Sequence, residues 1–110
     1  MGAAATAVIR ELNDAFRQSF VGGKVVLTAS VAALQENDQA SVLELVRSFR
    51  EFDTGNDPHG EHDFGAVTHA DVTYFWKIDY YGPNLDTGSE NPADPAVTTR
   101  VLTIMRADEY

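Results

Sequence analysis

The chain has 110 residues, seventeen acids against eight lysines and arginines for a net charge of −9, and no cysteine. That length accommodates one core, so residues 1–110 are expected to form a single domain, and an apolar fraction of 44% excludes a disordered chain. The missing cysteine removes disulfides, thiolate catalysis and Cys-based zinc sites, and the acidic balance argues against direct binding to nucleic acid or anionic lipid.

The first predicted element runs from Ala3 to Phe20. Ala5, Ile9, Leu12, Phe16 and Phe20 recur near helical spacing, with Arg10, Asn13, Asp14 and Arg17 expected on the opposite, wet face. Gly22 and Gly23 are expected to end this helix. Lys24-Val25-Val26-Leu27-Thr28 reads as a strand, apolar on both faces and therefore central. Ser30 to Leu34 predicts a short helical turn. A second amphipathic helix then starts at an Asn37 or Asp38 cap and runs to about Phe52, burying Val42, Leu45, Val46, Phe49 and Phe52.

Pro58 and Gly60 break the helical pattern. Phe64 to Thr68 and Val72 to Tyr81 predict a β-hairpin closing near His69-Ala70-Asp71. Gly82 to Pro95 is a long loop with three acids and no base, and Arg100 to Ala107 is a last strand. Helices early and strands late predict an α+β fold, an antiparallel sheet of about four strands with two amphipathic helices packed on one face. Met1 to Arg10 carry no basic leader, and no run is long enough to span a bilayer, so a cytoplasmic protein without membrane contact is expected.

Two constellations could carry chemistry. The first is Asn56-Asp57-Pro58-His59-Gly60-Glu61-His62-Asp63-Phe64-Gly65, where imidazole and carboxylate crowd together. His59, His62 and Asp63 are the candidate ligands for a divalent metal, with His69 as a further nitrogen. The structural alternative is a loop whose aspartates bind backbone amides, and it carries the greater weight, so no cofactor is expected. The second is Phe75-Trp76-Lys77-Ile78-Asp79-Tyr80-Tyr81. A strand places Lys77 and Asp79 on one face about 7 Å apart. With Arg100 and Glu61 they are the candidate acid/base groups if the protein is an enzyme, and a surface ion pair is the competing reading.

The chain carries neither a phosphate-binding glycine loop nor a Gly-x-Ser-x-Gly elbow. Charge is uneven: residues 56–110 hold ten acids and three bases, a net −7, against −2 for residues 1–55. Asp86, Glu90 and Asp94 of the acidic loop are the candidate contacts to a protein partner with a basic surface.

These two motifs, with Gly22–Thr28 and Arg100–Met105, resemble a domain-of-unknown-function family of small bacterial proteins met in plasmid, phage and integrated-element regions, over Leu12 to Tyr110. The resemblance implies a mobile-element context and transfers no activity or catalytic residue. With the charge it suggests a non-enzymatic acidic protein, in its concrete form an inhibitor of a nucleic-acid-handling defence protein by acidic mimicry. A small hydrolase, metal-dependent or acid/base, and a structural or oligomerising domain are the alternatives.

Overall fold

The structure, a computed structural model, describes residues 3–110. Met1 and Gly2, where the N-terminal expectation begins, lie outside the described residues. Helix α1 spans Ala3–Ser19, strand β1 Gly23–Leu27, helix α2 Ala29–Ala32 and helix α3 Glu36–Arg47. Strands β2 (Phe64–His69), β3 (Val72–Tyr81) and β4 (Thr99–Arg106) follow, with short 3-10 turns at Pro95–Val97 and Ala107–Glu109. The fold is α+β, as expected, with one sheet in the order β1-β4-β3-β2.

The long strand β3 alternates as its sequence predicts. Tyr74, Trp76 and Ile78 are buried toward the helices, and Phe75, Lys77, Asp79 and Tyr81 face the other way. Leu102 and Ile104 of β4 and Val67 of β2 join them, and Phe16, Val31, Val42 and Val46 close the core from the helical layer. All three helices cover this one face. The opposite face is open, with Phe64, Phe75 and Tyr110 clustered on it at ring separations of 5.3 to 6.1 Å.

The sheet differs from expectation at β1. It pairs parallel to β4, so the sheet is mixed and only its other pairings are antiparallel. The β1 strand is also an edge strand, not a central one. Val25 and Leu27 turn inward, whereas Val26 stays 44% exposed on the open face. No hairpin joins β1 to β4; more than seventy residues intervene, and a connection that long permits a parallel neighbour.

Helix α3 begins at Glu36, flanked by Gln35, and so places Asn37 and Asp38 in its first turn instead of at its cap. It ends at Arg47, before Phe49 and Phe52. The chain turns at Ser48, and this lets both rings reach Trp76 edge-on, at 5.6 and 6.1 Å. The hairpin turn is tighter than the sequence suggests. Ala70 and Asp71 both have positive φ, 50° and 65°, the pattern of a two-residue type I′ turn.

Candidate functional site

Helix α1 carries a polar stripe that points inward. Asn13 and Arg17, expected on the wet face, are 0% and 1% exposed. They sit one helical turn apart, so both project from the same side of α1. Opposite them lies the Asn56–Gly65 loop, which presents the carbonyls of Gly60 and Glu61 and the His62 ring to the helix.

Arg10 donates to the carbonyl of Gly60 at 3.1 Å, and the Asn13 amide donates to the carbonyl of Glu61 at 3.0 Å. Asp14 accepts from Nδ1 of His62 at 2.9 Å and from Arg17 at 3.0 Å. Asp57, buried, accepts the backbone N–H of His62 at 3.0 Å, and its other oxygen stands 3.6 Å from His62 Nε2. His62 itself has a φ of 55° and stacks flat on Phe52, with 3.7 Å between ring centroids. Both ring nitrogens of His62 therefore face carboxylates, and its π-face is covered.

Arg17 completes this clasp. Its guanidinium lies 5.3 Å from the Phe52 ring and 5.0 Å from Trp76, and it donates to the carbonyl of Phe49 at 3.1 Å. That carbonyl is free because α3 has already ended. Desolvating a guanidinium is costly unless charge and π-faces replace water, and Asp14 with the two rings does so here.

A second chain of bonds runs from Arg100 to Glu61. Arg100 donates from Nε to Asn13 Oδ1 at 2.7 Å and to the carbonyl of Pro92. Asn13 donates to the Tyr80 hydroxyl at 2.7 Å, and that hydroxyl donates to Glu61 at 2.7 Å. Burial, then the bond to Glu61, pushes the Tyr80 hydroxyl well above its ordinary value, so it keeps its proton and donates. Burial lowers Arg100, whose hydrogen-bond partners here are neutral oxygens. Burial, together with the nearby Glu61, raises the Asp63 carboxyl.

The sequence candidates do not converge. Tyr80 lies opposite Arg100 in the sheet, so Arg100 faces the helices, whereas Lys77 lies opposite Thr103 on the open face. An anion site built from Lys77 and Arg100 is ruled out by the sheet between them. Lys77 pairs with Asp79 at 3.1 Å, both partly exposed, and that bond raises the lysine. His59 is exposed, His62 is enclosed by Asp14 and Asp57, and His69 bonds Asp38 at 2.9 Å near the hairpin turn. Among the described residues no three histidines or carboxylates close on a common metal position.

The Gly82–Pro95 loop is ordered by its own backbone. Gly82 donates to Thr87, Leu85 to Gly82 and Ser89 to Tyr80, while Arg100 holds Pro92. Asp94 is committed to the amide of Ala96 at 2.9 Å. Asp86 and Glu90 are exposed and have no cationic partner among the described residues. The residues that sequence reasoning missed are Asn13, Asp14, Arg17 and Tyr80. The one available signal was the strictly helical spacing of Arg10, Asn13 and Arg17, which defines a stripe as coherent as the apolar one.

The fold and this clasp define a two-layer α+β domain whose densest polar motif binds its own first helix. A family model described as "Protein of unknown function (DUF3768)" matches residues 27–109, and the chain belongs to that family. No curated protein and no solved structure matches it. No helix among the described residues is long and apolar enough to cross a membrane.

Proposed function

We propose that this protein is a non-catalytic, acidic binding protein that docks on a basic surface of another protein. The observation that carries this reading is the division of its carboxylates. In the second half, Asp57, Asp79, Asp108 and Glu109 are held by His62, Lys77, Arg106 and the Thr28–Ser30 segment. Asp86 and Glu90 instead stand outward on a hydrogen-bonded loop that contains no base. Carboxylates carried on a hydrogen-bonded loop present a field to a partner without the loop backbone first having to be ordered.

In its most concrete form the partner is a host nucleic-acid-handling defence protein, whose basic groove the loop occupies in place of a phosphate backbone. The mobile-element context that the sequence resemblance implies supports that form, and so does the overall charge of −9. The enzymatic alternative has less support, because the titratable groups are divided between the two sides of the sheet. Complex formation with purified restriction and RNA-guided nucleases, followed across a salt series, tests the proposal. Binding that weakens steeply with salt is expected. Absence of binding to every member of the panel, or binding indifferent to salt, contradicts it.

A further inference from the structure

We propose that the free edge of β2 receives an extended, basic segment of a partner protein, which joins the sheet as a fifth strand. The inference goes beyond the acidic-loop reading and does not depend on it.

The hydrogen-bond phase of the hairpin identifies which groups are free. Ile78 donates its N–H to the carbonyl of Asp63 at 2.9 Å, one step before the Phe64–Lys77 pair. Pairs in an antiparallel ladder alternate, so Gly65, Val67 and His69 bond to β3 through their backbones. Phe64, Ala66 and Thr68 therefore direct their N–H and C=O groups away from the sheet. Among the described residues nothing else binds them.

Edge strands are commonly blunted by charge, proline or a bulge. The other edge, β1, has Lys24 within its five residues. Strand β2 reads Phe-Gly-Ala-Val-Thr-His, with no Asp, Glu, Lys, Arg or proline, and it pairs with β3 without interruption. Its free edge is also concave. Leu45, Ser48 and Phe49 on one side and Ala66, Val67 and Thr68 on the other line a groove that continues along α3 to His69. A concave strip with an unpaired backbone is the geometry that strand addition uses.

Charge selects the occupant. Glu51 and Glu44 flank the groove, Glu44 in an ion pair with Arg47 at 3.4 Å. Asp71 and Asp38, the latter bonded to His69, stand near its hairpin end, so four carboxylates face two arginines there. Arg50 is the cation on its wall. A strand with lysine or arginine at alternate positions meets this rim favourably. A second copy of the chain would set each acidic rim against its own image.

The probe is the heptapeptide Lys-Val-Lys-Val-Lys-Val-Lys, added to the full ¹⁵N-labelled chain. Amide shifts concentrated on Phe64, Ala66 and Thr68 are expected. N-methylating the peptide at alternate residues removes the edge-facing donors without altering the protein, and an affinity loss of about tenfold or more is expected, equivalent to about 1.4 kcal/mol. Ala66→Pro is expected to give the same loss with an unchanged melting temperature, because no β3 bond uses that N–H. Asp86→Asn with Glu90→Gln should leave peptide binding unaltered, which separates this site from the acidic loop. No binding, equal binding of the methylated peptide, shifts centred on the Gly82–Pro95 loop, or self-association through β2 in place of peptide binding overturns the proposal.

Discussion

Asn13 and Arg100 are 87 positions apart in sequence, and the Asn13 carbonyl oxygen accepts Arg100 Nε at 2.7 Å where both side chains are buried. The same amide donates to Tyr80 and to the Glu61 backbone, so one helix residue joins β3, β4 and the motif loop. Asn13→Ala leaves a buried guanidinium short of an acceptor. A loss of about 3 kcal/mol is expected, within the range for breaking a buried charged hydrogen bond. Urea unfolding monitored by Trp76 fluorescence measures it, and a loss near zero would mean that water replaces Asn13 freely.

Gly65 is required by its contact with the indole. A β-carbon there would lie 2.5 Å from Trp76 Nε1 and 2.9 Å from the Phe49 ring. Gly65→Ala should therefore cost about 1–3 kcal/mol through overpacking. Ala66→Gly, one position along with its side chain on the open face, should cost well under half as much. Comparison of the two unfolding midpoints checks this.

The hairpin turn offers a gain in stability. Ala70 adopts a φ of 50° that favours Asn or Gly. Replacing Ala70-Asp71 by Asn-Gly is expected to stabilise the fold by about 1 kcal/mol, raising the melting temperature by roughly 4–8 °C. Calorimetry reads this directly, and an unchanged or lower melting temperature refutes the turn assignment.

Glu109 ties the chain end to the start of α2. Its carboxylate accepts from Thr28 Oγ1 and the Arg106 amide, each at 2.7 Å, and from the Ser30 amide at 3.2 Å. These bonds, that of Thr28 first, lower it from 4.5 to about 2. A carboxylate depressed on folding stabilises above its unfolded value and loses that effect as pH falls through the folded one. Glu109→Gln should thus be less stable than the wild type at pH 7, and the gap should close between about pH 4.5 and pH 2. Parallel acid titrations of unfolding midpoints test the sign.

Much of the fold was legible because its signals are local. The alternation from Val72 to Tyr81 announces a half-buried strand, and the Val42, Leu45, Val46 spacing announces a helix. The pairing of β1 with β4 was not legible, since strand order depends on partners more than seventy residues away. The inward turn of Asn13 and Arg17 was hidden for the same reason. A polar helix face reads as solvated until the loop that satisfies it is in place. Conversely, the Asn56–Gly65 motif stood out in sequence by residue type, yet its type alone could not distinguish a clasp from a metal site.

The most direct measurement is the association rate of the protein with a basic nuclease partner, compared for wild type, Asp86→Asn/Glu90→Gln and His62→Ala at low and high salt. If the loop docks and the motif holds the fold, the double variant associates about tenfold more slowly at low salt and matches wild type at high salt. His62→Ala, studied below its unfolding transition, keeps the wild-type rate. A double variant that binds as fast as wild type, with binding lost on His62→Ala while the protein stays folded, would place the function in the clasp.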